Sequence, residues 1–268
     1  RMVTEAQPRK GQGINVIGAL PGNDPKLKNE LIVVGAHFDH LGYGETGSMS
    51  GSDSIHYGAD DNASGTAGVL ELARMLARDR SNRRTVLFQL YSGEELGLLG
   101  SAAWVEANPD AVKRTQAMIN LDMIGRVREG KVIVYGTGTA AEFPAIAGAI
   151  KVDGLKPAPV STSPGNSDHA SFNRMNVPVL FFHSDLHTEY HTERDKPETI
   201  NYEGMAQVVD AVAQTVRKID EIDQKLAFTG TPSQGRGGGD PNRTRRVRVG
   251  FIPDMSDATG RGLTLNGA

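Results

Sequence analysis

Residues 31–39 read LIVVGAHFD, a run of aliphatic and β-branched residues that gives out onto His37 and Asp39. Such a run reads as a short buried strand whose end is polar. Four further segments place polar residues at the close of a hydrophobic pattern: HYGADDNASG (56–65), VLFQLYSGEE (86–95), AMINLDM (117–123) and EYHTERD (189–195). Strands that end in such side chains can point them at one spot. Working outward, NVIGAL (15–20) is predicted to be another short buried strand, and in residues 63–79 Val69, Leu70, Leu72, Ala73 and Leu76 fall at helical spacing. TVLFQLY (85–91) is predicted as a strand, followed by a helix from Leu98 to Glu106 that Asn108-Pro109 stops. QAMINLD and KVIVYG are further strands, then come a helix near 140–150, the strand VPVLFF and a long helix from Tyr202 to Leu226. Strands alternating with helices predict a layered α/β sheet.

At 268 residues the chain is long enough for one large α/β domain with an ample core, with or without a small appendage. A net charge of −3 provides no electrostatic footprint for nucleic acid. The basic run RTRRVR (243–248) lies beside a Gly-rich stretch and reads as a solvated charge cluster. The chain has no cysteine, so disulfides and thiolate ligands are excluded and any zinc must be held by imidazole and carboxylate. No apolar run approaches the roughly 18 residues of a membrane span, so membrane insertion is not expected. Cysteine absence suits a secreted, periplasmic or cell-envelope protein, a localisation we carry as an expectation. Three regions are expected: a catalytic domain over 1–228, a Gly/Pro/Ser linker over 229–243, and two strand-like pieces over 244–268 that resemble the truncated start of a PDZ domain.

Each polar motif has an ordinary reading beside a chemical one. His37 and Asp39 lie two residues apart, so on an extended backbone they lean to one face, where a carboxylate can fix the tautomer of a ligating imidazole. A strand-end histidine alone can equally be structural. In GADDNASG the paired acids stand just before a helix whose N-cap would be Asn62 or Ser64, as ordinary caps do, yet the same position suits a carboxylate bridging two ions. Adjacent Glu94 and Glu95 cost energy unless cations neutralise them or one is protonated. A division of labour accounts for the pair: one ligates metal while the other accepts a proton from water. Asp122, at the end of an apolar run, is costly to bury unless paired or coordinated.

Taken in order, GAHFD, GADDNASG, GEELGLLGS, NLDM, SDHASF and YHTERD resemble the M28 family of zinc peptidases, a group that includes bacterial aminopeptidases, over residues 14 to 226. The resemblance implies a three-layer α/β sandwich around a mixed, mostly parallel sheet. It also implies two zinc ions bridged by Asp61, with His37 and Asp122 completing one site and Glu95 and His191 the other. Glu94 then corresponds to the general base and Asp39 to the His-orienting carboxylate, and the bond between Asp61 and Asn62 is expected to be cis. The implied reaction is release of an N-terminal residue from a peptide, driven by a hydroxide bridging the ions.

The chain departs from the family at two places. Some secreted relatives carry a tyrosine and a disulfide just before SDHAS; here the sequence is TSPGNSDHAS, and Asn166 or Ser167 are the candidates for that tyrosine's role. Only 36 residues precede His37, which resembles relatives with an inserted protease-associated (PA) domain and leads us to expect that N-terminal elements of the catalytic domain are missing. His183, His187 and Tyr190 crowd the approach to His191, as pocket lining or as packing. Two rivals stand: a glutaminyl cyclase-like enzyme using one zinc on Asp61, Glu95 and His191, and a non-catalytic peptide-binding module of the same fold. Peptides are the expected partners, and oligomeric state is not readable.

Overall fold

A computed structural model describes residues 11–230 apart from positions 45 and 52; the PDZ-like segment therefore lies outside the described residues. Among the described residues seven strands form one sheet: β1 (Val16–Leu20), β2 (Leu31–His37), β3 (Thr85–Tyr91), β4 (Thr115–Leu121), β5 (Lys131–Tyr135), β6 (Lys156–Val160) and β7 (Val179–His183). Their order is β1-β3-β2-β4-β7-β5-β6. The central four, β3-β2-β4-β7, are parallel to one another; β1 runs antiparallel to β3 and β5 antiparallel to β7, while β6 is parallel to β5. The mixed, mostly parallel sheet expected from the sequence is thus the one observed.

The central strands are buried on both faces because alternate residues feed two cores. Ile32, Val34 and Ala36 of β2 join Ile119 and Leu121 of β4 in the larger one, against helices α1 (Gly65–Asp79), α4 (Phe143–Gly148) and α6 (Tyr202–Asp220). Val33 and Met118 face the opposite way and pack with Trp104 of α2 (Leu99–Ala107), Val112 of α3 (Pro109–Arg114) and Phe172 of α5 (His169–Asn173). Trp104 and Phe172 stack at 5.5 Å between ring centres, joining α2 to α5. Gly35 is the gap in this pattern. A Cβ there would stand 2.6 Å from the Tyr91 ring, so the glycine makes room for an aromatic side chain one strand over.

Several elements differ from expectation. NVIGAL is no buried strand: Val16 and Ile17 are 55 % and 46 % exposed, because β1 is an edge strand and none of the described residues pairs with its outer side. Pro109 does not end helical structure but starts α3 at its first position, where the missing N–H costs nothing. The strand β6, KPAPV, was hidden by its prolines. Spaced by two, Pro157 and Pro159 turn their missing donors to one side, which an edge strand tolerates. The last helix stops at Asp220, short of Leu226, because the Asp220 carboxylate leaves the helix to accept the backbone N–H groups of Arg83 (2.6 Å) and Arg84 (2.9 Å).

Arg84 fastens this end of the sheet. Its buried guanidinium donates to Glu30 Oε2 at 2.8 Å and to the carbonyl of Asp220 at 3.0 Å, tying the start of β3 to the end of α6. Removing one partner of a buried charge network strands the others. Arg84→Ala is therefore expected to lower unfolding stability by about 3–5 kcal/mol, read as a shift in the urea midpoint; a change within error would show that the network contributes nothing net.

Candidate metal centre

The parallel strands deliver the site. β2 and β4 are adjacent, and their register pairs Gly35 with Asn120, so His37 and Asp122, each two residues further on, come out at one level. His37 is paired with Tyr91, the last residue of β3, and the chain from Tyr91 turns through Ser92 and Gly93 into Glu94 and Glu95. His191 enters from the loop after β7 with a left-handed backbone, φ 56°. The carboxyl ends of parallel strands are where open α/β sheets place their sites.

Asp61 sits in the six-residue turn Ala59–Ser64, and its bond to Asn62 is cis, as the resemblance implied. Three side chains hold the turn. Asp195 accepts the backbone N–H groups of Asp60 and Asp61, each at 3.0 Å. Asn62 donates to the carbonyl of Leu121 at 3.0 Å and accepts from the N–H groups of Gly65 (2.9 Å) and Met123 (3.2 Å), so it both caps α1 and staples the turn to the end of β4. Ser64, the formal N-cap, instead donates to the carbonyl of Asp60 at 2.7 Å. Gly58 has φ 59°, and a Cβ there would stand 2.3 Å from the carbonyl oxygen of Asp61.

All five candidate ligands converge. Asp61 Oδ1 is 3.3 Å from His37 Nε2, which is 3.4 Å from Asp122 Oδ1. The other oxygen, Asp61 Oδ2, is 3.0 Å from His191 Nε2, which is 3.3 Å from Glu95 Oε2. Donors around a tetrahedral ion at 2.0–2.1 Å stand about 3.3 Å apart, so both sets have ligand spacing. Asp122 Oδ1 is buried with no hydrogen-bond partner among the described residues, a vacancy in its bonding that a cation would fill. Each imidazole turns its second nitrogen to a carbonyl: His37 Nδ1 donates to Asp39 at 3.1 Å and His191 Nδ1 to Gly47 at 3.0 Å, which leaves both Nε2 lone pairs for metal. The residues present fit a pair of divalent ions.

The Asp39 carboxylate does something other than expected. It stands 3.8 Å from His37 Nδ1, farther than its own carbonyl, and accepts the backbone N–H groups of Glu94 (3.1 Å) and Glu95 (3.3 Å). Ser167 fixes Asp122 through a 2.7 Å hydrogen bond to Oδ2 and accepts from Asn120 at 2.8 Å. Asn166 is exposed. His183 donates to the carbonyl of Asp122 at 2.8 Å, His187 is buried between Asp60 and Glu189 at 3.2 Å from each, and Tyr190 stacks on His191 at 3.8 Å.

The buried carboxylates and imidazoles of the cluster shift one another strongly. Burial works against charging His37, but Asp122, Glu94 and Asp61 together carry its pKa well above the imidazole norm. Burial likewise opposes charge on His191, and Asp61 and Glu95 override it, to about 10. Burial pushes Asp61 up, yet the His191 and His37 imidazoles hold it well below the usual carboxylate range. Glu94 goes the other way: burial raises it, His37 pulls it down, and Asp122, Asp168 and Glu95 push it up again, leaving it well above an ordinary glutamate. A carboxyl shifted by burial and by specific charged neighbours in this way is a candidate for proton exchange.

The sequence reading missed three contributors. His40, the residue just after GAHFD, stands with Asp61 and Glu95 close enough to share one metal position. Asp195, inside EYHTERD, clamps the Asp61 turn, and buried Asp168, inside SDHASF, neighbours Glu94. All lie in or directly beside motifs already noted, and only their contacts reveal their roles.

The model of Peptidase family M28 matches residues 15–216. Among curated proteins, Aminopeptidase YwaD of Bacillus subtilis is 30 % identical over 231 residues, covering 79 % of this chain and 46 % of its own. Leucine aminopeptidase 1 of Trichophyton equinum is 28 % identical over 223 residues, covering 76 % and 57 %. The chain thus spans about half the length of the curated relatives it matches. The structure of BSAP, a zinc aminopeptidase from Bacillus subtilis, superposes with a TM-score of 0.62 at 27 % identity, covering 80 % of this chain and 52 % of that one. With the family model spanning most of the described residues and every motif in place, the chain belongs to peptidase family M28.

Proposed function

We propose that this chain is the catalytic part of a metallo-aminopeptidase that holds two zinc ions and releases N-terminal residues from peptides. One observation carries the reading: the two oxygens of Asp61 face two different imidazoles, and each imidazole is matched by one further carboxylate. The names of the similar proteins, zinc aminopeptidase among them, support both the metal and the reaction.

When bound, the two ions polarise the scissile carbonyl and acidify water. The protein's own groups do the rest. Asp61, Asp122 and Glu95 present oxygens, and His37 and His191 present Nε2, from strand ends, the loop after β7 and a braced turn. Glu94, raised by burial and by neighbouring carboxylates, takes a proton from the attacking water and returns it to the leaving amine. Asp39 holds the backbone of Glu94 and Glu95, so base and ligand keep a fixed spacing. Ser167 engages Asp122 Oδ2 and leaves Oδ1 for the ion.

A one-zinc cyclase needs Asp61, Glu95 and His191 alone, and gives no reason for His37 and Asp122 to stand at ligand spacing. A non-catalytic module has no use for a raised Glu94 beside a full ligand set. No described helix is long and apolar enough to cross a membrane. Separately, the absence of cysteine suits a place in the cell envelope or outside the cell.

Three outcomes are expected. The purified chain binds two zinc ions by elemental analysis, and His37→Ala or Asp122→Ala reduces this to one; a wild-type value of one, unaffected by either change, favours the cyclase reading. Hydrolysis of aminoacyl-nitroanilides stops with chelator and returns with zinc. Glu94→Gln keeps the zinc content but lowers kcat by about 10²- to 10⁴-fold; unchanged turnover removes Glu94 as the base.

A further inference from the structure

His40 has no part in the five-ligand set, yet it sits in the site. Its side chain is 9 % exposed, its Nδ1 is hydrogen-bonded to Glu95 Oε1 at 3.1 Å, and its ring meets His191 edge-on at 5.8 Å between centres. The opposite nitrogen, Nε2, is buried without a partner among the described residues. The ring fits because position 58 is glycine: a Cβ there would stand 2.5 Å from His40 Cγ.

Two roles are open to such an imidazole, ligand or brace, and the distances separate them. His191 Nε2 approaches Asp61 Oδ2 to 3.0 Å, whereas His40 Nδ1 stays 3.9 Å from that oxygen. His40 also meets the Glu95 oxygen that His191 does not: His40 faces Oε1, and His191 faces Oε2. The tautomer costs point the same way. With the proton on Nδ1, the buried orphan is a lone pair; with Nδ1 bound to metal, it is an N–H, the rarer and costlier thing to leave unpaired.

We propose that His40 is a positioning residue for the second metal subsite: its Nδ1–H occupies Glu95 Oε1, so Glu95 presents Oε2 alone to the ion it shares with Asp61 and His191. This deepens the dizinc reading and rests on it. Without the brace, the Glu95 carboxylate is free to rotate away from the other buried carboxylates, and the ion loses a fixed ligand.

The test uses the full 268-residue chain, stripped of metal, with Zn²⁺ dissociation constants measured by competition with a chelating dye and the visible spectrum recorded with Co²⁺. In His40→Ala one of the two constants rises roughly 10- to 100-fold while the other holds. His40→Asn places an amide N–H where Nδ1 was and restores the weakened constant; His40→Gln places it where Nε2 was and does not. The Asn and Gln variants differ by one methylene, so their comparison carries the test even if the Ala variant fails to fold. Equal weakening in Asn and Gln, with a Co²⁺ spectrum altered as for a lost nitrogen donor, makes His40 a ligand and overturns the proposal. Two ions in the wild type with both constants unchanged in His40→Ala overturns it while the dizinc reading survives. A wild type that takes up fewer than two ions sinks both.

Discussion

The buried carboxylate of Asp61, with one imidazole at each oxygen, is the contact around which the rest of the molecule is arranged. A carboxylate in that position cannot be left to itself, because burial penalises its charge. It needs cationic neighbours on both sides, and these must come from parts of the chain that are far apart in sequence. His37 arrives at the end of β2 and His191 from the loop after β7, on either side of a turn held by Asn62 to the end of β4. The parallel order β3-β2-β4-β7 is what makes this possible, since adjacent parallel strands end at one edge of the sheet.

The layered sheet and the polar strand ends that meet at the candidate site were legible in the sequence for related physical reasons. The central strands carry unbroken apolar runs because both faces are covered, and a charged residue at the end of such a run is conspicuous. β1 misled for the converse reason. Its residues are as β-branched as those of a core strand, and only its place at the sheet edge exposes Val16 and Ile17. β6 was hidden by Pro157 and Pro159, which argue against a central strand and are tolerated at an edge. The five-residue helix α5 has too few residues to display a period.

Within the site, what a motif cannot show is which atom of a residue acts. Asp39 was expected to lean to the same face as His37 and orient it through its carboxylate, but its carbonyl makes the hydrogen bond to His37. The spacing of two residues fixes proximity and leaves the rotamer open. His40 is the next residue along, and its use depends on a glycine at position 58, whose missing Cβ has no signal in any local pattern.

Asp39 and Asp195 together explain why the two halves of the centre hold their separation. Each follows a histidine of the candidate ligand set on the same segment, Asp39 two residues after His37 and Asp195 four residues after His191. Neither carboxylate is spent on the metal set. Asp39 grips the backbone of Glu94 and Glu95, so the segment bearing the histidine of the first set also fixes the carboxylate of the second. Asp195 grips the backbone of Asp60 and Asp61, so the segment bearing the histidine of the second set fixes the carboxylate shared by both. The sets are cross-braced through backbone N–H groups, which have no rotamers to lose. A shift of either histidine segment therefore moves a carboxylate of the other set with it, and the pair behaves as one unit rather than as two sites that happen to touch.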